Sequence, residues 1–471
     1  MIFSSPEYWI FFMVALAGAW LLVGRPQWRI LFLLLASYYF YASNNGMLLV
    51  IILISTVMDY WLAIRIEETD DKKRRKTWLI ASMVANLGIL GFFKYANFFS
   101  ESAASVMNAA GYDPGWQPLD IILPVGISFY TFQSMSYTID VYTQRLKAER
   151  SFTRFAFFIA FFPQLVAGPI VRARYFLHQM DTQPRVSPQA FESALYLIFI
   201  GLFKKVIMAD TLAGYSDAAF SSPGEIDSVT AWLGLYAFTF QIYFDFSAYT
   251  DIAMGCARLL GFRLPPNFRR PYTATSFTEF WRRWHLSLSF WLRDYLYKPL
   301  GGNRKGDVRT YANLMITMLL GGLWHGAAWT FVLWGGIHGL LLALEKKLGW
   351  GRLAHDYKGR PVRRILRSLV VFQLVVLTWL PFRAESWDDM VIIAHALVRF
   401  DLPDTITAGM AVAVLIMMWG LAAQWTGEIM PVKRRFLRLP LGVKAGAYAV
   451  MAAAIVVFAA RGAQPFVYFQ F

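Results

Sequence analysis

"YANLMITMLLGGLWHGAAWTFVLWGGIHGLLLALE" (residues 311–345) decides the fold. Arg304, Lys305 and Arg309 precede it and Lys346 and Lys347 follow it. Short basic loops stay cytoplasmic, so both ends lie on one side of a bilayer. Its 35 residues, at about 1.5 Å rise each, give about 26 Å per leg, enough for a helical hairpin to reach most of the way across. His325 sits near the turn, and Gly321, Gly322 and Gly326 bracket it, so backbones or a substrate can come close. The imidazole is thus expected deep in the membrane, at a break between helices where a cavity is permitted. There it can serve as a general base or proton relay near neutral pH. A structural histidine hydrogen-bonded across helices is the alternative.

Working outward, the chain has 471 residues, 57% hydrophobic and 16% charged, too apolar for a soluble globule of this size. It reads as an all-α polytopic membrane protein with one integral membrane domain over residues 1–471. "YWIFFMVALAGAWLLV" (residues 8–23) lacks a basic leader and a small-x-small cleavage site, so it is expected to stay as the first transmembrane helix. The single Cys256 excludes an intrachain disulfide and a cysteine-rich metal site, and no metal is expected. The net charge of +15 is expected in cytoplasmic loops rather than on nucleic acid.

The position of the charges gives the threading. Residues 24–29, 65–77, 143–154, 171–189, 258–310, 346–368 and 425–444 hold two, six, four, three, eleven, eight and five Lys or Arg, whereas 44–46, 99–120 and 210–230 hold none. The alternation in the first half puts the N-terminus outside. Besides the first helix, crossings are expected near 30–43, 47–64, 78–98, 121–142, 190–209, 231–257, 369–383, 407–424 and 445–460, about 11 transmembrane helices with the hairpin. Residues 388–400 read as a helix on the outer surface. No internal repeat stands out, which argues against a transporter built from two related halves.

Two stretches depart from plain crossings. "FAFFIAFFPQLVAGPI" (residues 155–170) has basic flanks on both sides and carries Pro163, Gly168 and Pro169, so it reads as a re-entrant segment, with a Pro-kinked helix as the alternative. In "FTEFWRRWHLSLSFWLRDYLY" (residues 277–297), Phe280, Trp281, Trp284, Leu288, Trp291, Leu292 and Tyr295 recur at helical spacing. An amphipathic helix at the inner face follows, and a plain membrane-surface anchor would share its composition.

"GGLWHGAAWTFVLWGGIHG", the 277–297 stretch, "LPVGISFYTFQSMSYTIDVY" (123–142) and "QIYFDFSAYTDIAMG" (241–255) together resemble the membrane-bound O-acyltransferase (MBOAT) family. The resemblance is to its bacterial polysaccharide O-acetylation branch, related to the branch that D-alanylates teichoic acid. "MIFSS", "FKYANF", "LGGNR" (300–304) and "PFVYFQF" (465–471) are closer to the alginate type, although the C-terminal half is shorter, which leaves the polymer open. The resemblance implies a helical bundle with a thinned centre and an outward funnel. On its floor stands the catalytic histidine, here His325, and His285 is a second functional one.

O-acyl transfer needs a thioester, an alcohol and a base. His325 would take the alcohol's proton and return it to the departing thiolate. His285 would orient the thioester or share the proton work, with an interfacial anchor residue as the alternative. No tightly bound cofactor is expected; the donor would be acetyl-CoA or another acyl thioester or acyl carrier from the cytoplasm. Arg269, Arg270, Arg282, Arg283, Arg304 and Lys305 are candidates for its phosphates, or else a positive-inside signal contacting membrane lipids. Asn267, in "PPNF", and Trp324 are further candidate contacts. Asp140, Asp245, Asp251 and Gln133 lie in apolar runs and are expected to pair with groups such as Lys204 or Lys205, or one aspartate to orient an imidazole. His338 would lie about 20 Å from His325 on a continuous helix, too far to share a proton. His178, His355 and His395 read as solvated.

The expected function is an acyltransferase of the bacterial inner membrane that delivers acetyl for O-acetylation of an exported polysaccharide of alginate or cellulose type. Expected partners are a periplasmic acetyltransferase and the polysaccharide synthesis and export complex, with no nucleic acid. The aromatic tail is expected to anchor or dock at the outer face. D-alanyl transfer to teichoic acid, a transporter or flippase, and a scaffold without acyl transfer are the rivals.

Overall fold

Proline opens the helices Pro6–Leu21 and Pro26–Ala42, since the N–H it lacks would be unpaired in a first turn anyway. Ser5 caps the first by accepting the Tyr8 N–H at 3.4 Å. A computed structural model describes the chain except for residues 44–45, 167, 222–223, 225, 351–360, 403–404, 460–465 and 468–471. Among the described residues every regular element is helical. Five stretches of the described residues are long and apolar enough to cross a membrane: Gly46–Glu68, Lys72–Ala109, Pro361–Arg383, Ala408–Gly427 and Leu441–Ala459, with Pro6–Leu21 a shorter apolar helix. The chain divides into two compact units, one of Met1–Phe191 with Cys256–Pro265, the other of Glu192–Gly255 with Pro266–Phe471.

In the first unit, Leu49–Glu68, Lys72–Leu90 and Ile127–Tyr142 are pinned by a buried carboxylate. Asp59, 0% exposed, accepts from Ser82 Oγ at 2.6 Å, from Asn86 Nδ2 at 2.7 Å and from Ser134 Oγ. Three donors replace the water that an apolar interior denies it. The expected break at 155–170 is present. Helix Phe152–Ala160 stops at Phe161, a short turn Phe162–Leu165 follows, and Phe155 to Phe162 are all buried. Ending a helix leaves carbonyls without partners. Gln133 Nε2 donates to the Phe158 carbonyl at 2.6 Å, and Gln164 Nε2 donates to it at 2.9 Å. Gln133 thus caps the broken end from a neighbouring helix. The break also requires Gly126, whose φ is +77° and whose Cβ would lie 2.6 Å from the Leu165 carbonyl oxygen. Asp140 pairs with Arg145 at 3.7 Å.

The second unit is organised on the long helix Ser228–Leu259. A π-helical turn, Lys204–Ala209, lets consecutive lysines both reach its carboxylates. Lys204 meets Asp251 at 2.7 Å; Lys205 meets Asp245 at 3.0 Å and Asp210 at 2.9 Å. The expected pairing is thus observed, and paired charges are the form in which ions persist in such surroundings. Residues 311–345 form the expected hairpin, with legs Gly306–His325 and Trp329–Lys347. The legs touch through glycine. A Cβ at Gly322 would collide with the Phe331 carbonyl and lie 3.1 Å from Gly335 Cα, and one at Gly335 would strike the Met318 carbonyl.

Three expectations change. Residues 277–297 are not one helix on a surface: Phe277–Trp281, Leu286–Leu292 and the π-turn Arg293–Tyr297 are separate, and Trp284 and His285 are 0% exposed. Aromatic packing on every side, rather than a lipid surface, takes up their apolar area. His338 is not remote from His325, because the hairpin turn folds both rings against the Trp334 indole, with centroids 4.8 and 5.1 Å away respectively. The tail residues Phe466 and Val467 are not an exposed anchor: both are buried, and the Val467 N–H donates to Asp245 at 2.7 Å. The rest of the tail, 465 and 468–471, and His355 lie outside the described residues. His178 and His395 are exposed, as expected.

Candidate active site

His285 owes its position to its backbone. Its φ of 41° lies in the left-handed region, which costs a residue with a side chain about 1–3 kcal/mol unless its surroundings hold it. Here a second strand of chain does the holding. The Leu286 N–H donates to the Asn267 carbonyl and the Arg269 N–H to the Arg283 carbonyl, each at 2.9 Å. The Asn267 side chain, 0% exposed, accepts from Ser287 Oγ at 2.7 Å and donates to Thr250 Oγ1 at 3.3 Å. Asn267 therefore fastens the turn that carries His285. Trp284 secures the other side, stacked on Phe280 at 5.6 Å and Tyr272 at 5.9 Å.

His325 is fixed differently. It is the last residue of the first hairpin leg, and Gly326 and Ala328 beyond it are extended. No Cβ fits at Gly326, because the Phe331 ring occupies the space. The two devices bring the imidazoles together with centroids 6.3 Å apart. Trp324 stands beside both, 5.0 Å from His325 and 5.9 Å from His285. Trp334 and Phe382 complete the wall around His325 at 5.1 and 5.3 Å, and Phe246 meets His285 edge-on at 4.6 Å. Phe246 also contacts Phe466 of the tail at 5.8 Å. His338 is held apart from the pair by Trp334, and its Nε2 lies 3.1 Å from Thr378 Oγ1.

A cavity of about 1080 Å³ adjoins the same turn and gathers Arg269, Arg270, Arg282 and Arg283. Arg304 and Lys305 are not in its lining, and neither histidine is. Sequence reasoning missed three charged members, Glu279, Glu345 and Lys346. Lys346 adds a cation, and Glu345, 5% exposed, accepts the Phe277 N–H at 2.5 Å and the Thr278 N–H at 3.1 Å, capping the helix before the turn. An acidic residue ending an apolar leg, as in "LLALEKK", is the signal that would have found it. Arg283 is steadied by Glu279 at 2.7 Å and by Thr273 Oγ1 at 2.9 Å. Four guanidinium groups around one space, that of Arg283 held in place, suit a polyanionic ligand.

A family model for the membrane-bound O-acyltransferase (MBOAT) family matches residues 44–377. The chain belongs to that family. It is an MBOAT acyltransferase and a membrane protein with several apolar helices. The chain is similar to a probable alginate O-acetylase of Pseudomonas syringae pv. tomato, 41% identical over 387 residues covering 82% of this chain and 73% of the relative. A peptidoglycan O-acetyltransferase of Helicobacter pylori is 34% identical over 370 residues, covering 73% and 69%. A teichoic acid D-alanyltransferase of Bacillus subtilis is 30% identical over 281 residues, covering 56% and 69%. The MBOAT match spans both hairpin legs, the His285 turn and the cavity arginines.

Proposed function

We propose that this MBOAT enzyme takes acetyl from acetyl-CoA on the cytoplasmic side of the bacterial inner membrane and passes it outward for O-acetylation of an exported polysaccharide of alginate or cellulose type. The observation that carries the reading is the pairing of His325 and His285, 6.3 Å apart from opposite ends of unrelated local structures. In the step itself, a hydroxyl oxygen attacks the thioester carbonyl while His325 takes the hydroxyl proton. The C–S bond then breaks, and His325 returns the proton to the thiolate, so ester and thiol leave and the imidazole is neutral again. His285 orients the thioester. The arginine cavity holds the donor's phosphates, with Arg270, Arg282 and Arg283 its binding groups, and Trp324 lines the path of the acyl group.

His325 is 4% exposed and His285 0%. Reaction therefore requires the wall of Trp324, Trp334 and Phe382 to part, from the cavity side for the donor and from an outward funnel for the acceptor. The N-terminus is periplasmic in this reading. A periplasmic acetyltransferase and the polysaccharide export complex receive the group.

The relatives' names favour acetyl on a sugar hydroxyl. D-alanyl transfer is the second reading, favoured by the 30% identity to the Bacillus protein. The test is membrane vesicles supplied with labelled acetyl-CoA, wild type against His325→Gln at equal protein. We expect thiol release and polymer acetate to fall together by about 100-fold or more. Undiminished acetylation in His325→Gln would overturn the catalytic assignment, and turnover only with a carrier-bound D-alanyl thioester would replace the donor.

A further inference from the structure

A second cavity lies outside all of this chemistry. It is a groove of about 630 Å³ among the helices Ser228–Leu259, Pro361–Arg383 and Ala408–Ile429. Trp232, Tyr236 and Phe240 recur at every fourth residue of the first helix, so they fall on one face and form a rail along it. Tyr236 stacks against Trp232 at 5.8 Å and Phe372 at 6.3 Å, and Phe372 against Phe240 at 6.0 Å. Met417, 9% exposed, floors the opposite side, and Met418, 63% exposed, stands at its open flank. Two of the three helices, Pro361–Arg383 and Ala408–Gly427, are long and apolar enough to cross a membrane, and an open apolar slot beside them is a slot for hydrocarbon.

Among the described lining residues the one charged group is Asp401, at one end of the groove, and it pairs with Arg399 beside the groove. Arg399 and Asp401 meet at 2.5 Å beside Ser228, whose N–H donates to Asp401 at 2.7 Å. The Arg399 hydrogen bond holds the Asp401 carboxyl below the ordinary carboxylate range, so it is an anion at neutral pH. Neither group is used up. Their side chains are 56% and 38% exposed, and the guanidinium engages Asp401 and the Ile226 carbonyl through Nε and Nη2, which leaves the Nη1 hydrogens unengaged among the described residues. One cation and one anion at the mouth of a hydrocarbon slot complement a headgroup that carries both signs.

We infer that this groove binds one zwitterionic phospholipid, phosphatidylethanolamine, with an acyl chain along the Trp232–Tyr236–Phe240 rail, its phosphate on Arg399 and its ammonium on Asp401. An anionic lipid would satisfy Arg399 and oppose Asp401, and a fatty acid would do the same. The bound lipid fills space between three helices that side chains leave open, and the site does not depend on acyl transfer.

Native mass spectrometry of the full chain, released from detergent and titrated with palmitoyl-oleoyl phosphatidylethanolamine or the matching phosphatidylglycerol, tests this. Wild type is expected to retain one phosphatidylethanolamine and to prefer it over phosphatidylglycerol by about threefold, the size of one partly exposed ion pair. Met418→Trp, which places an indole at the open flank, is expected to lose the retained lipid. Arg399→Gln keeps the groove intact and is expected to erase the headgroup preference, which also covers the case of a poorly folded Met418→Trp. Equal retention of the two lipids by wild type, or unchanged retention in Met418→Trp of native mass and melting behaviour, would overturn the inference.

Discussion

Two of the helix breaks among the described residues are treated in opposite ways. At 161–165 in the first unit, amide side chains answer the freed carbonyl: Gln133 and Gln164 both donate to Phe158, in a stretch where Phe155 to Phe162 are all buried. At 325–329 in the second unit the break ends on an imidazole, with a second imidazole, Trp324 and Phe382 around it. At both breaks the irregular backbone is enclosed by protein, as a break inside a membrane would have to be. A break closed by amides is architecture. One that ends on a titratable ring, with a second such ring delivered from elsewhere in the chain, is equipped for proton transfer.

The largest effect that would sharpen this contrast is at Asn267. Asn267→Ala removes the side-chain bonds to Ser287 and Thr250 that fasten the turn carrying His285, without replacing either histidine, and a misplaced imidazole costs transfer about 100-fold. Acetyl transfer per folded molecule measures it. Asn267→Asp keeps the acceptor for Ser287 and is expected to recover part of the rate, an outcome that a merely packing role for the side chain would not produce.

Smaller effects are expected from the glycines that make each break possible. Gly322→Ala drives a methyl into the Phe331 carbonyl across the hairpin, and Gly126→Ala drives one into the Leu165 carbonyl at positive φ. Overpacking of this kind costs about 1–3 kcal/mol, to be read as a lowered unfolding midpoint in detergent. If the two breaks differ in purpose, Gly322→Ala also lowers turnover of the molecules that remain folded, and Gly126→Ala does not.

The smallest is Gln133→Leu. One of two donors to Phe158 is lost, about 1 kcal/mol, and turnover per folded molecule stays at the wild-type value. A loss of turnover there would mean that the first break also serves the reaction.

Both breaks were legible in the sequence, because proline, glycine and flanking basic residues are local signals that survive without tertiary context. So were the ion pairs, since an aspartate and a lysine in apolar runs must find each other. What periodicity concealed was the turn at His285. Residues 277–297 have helical spacing, but the bonds that split them come from Asn267 and Arg269, outside the window in which a period is read. The Asp59 cluster went unseen for a related reason: its donors come from two other helices, and alone it is one acid in a crossing. The buried Phe466 and Val467 depend on a partner, Asp245, more than two hundred residues away. Local chemistry could be read from the sequence, while long-range closure could not.

The backbone at His285 has a further consequence. Glycine and asparagine adopt a left-handed turn with far less penalty than a ring-bearing residue. His285→Asn lowers that penalty but empties part of the space its buried ring fills against Phe246 and Trp324, so the two effects oppose each other and the unfolding midpoint is expected to move little. The ring is held in a costly turn by what packs around it, and it is the packing that makes the turn affordable.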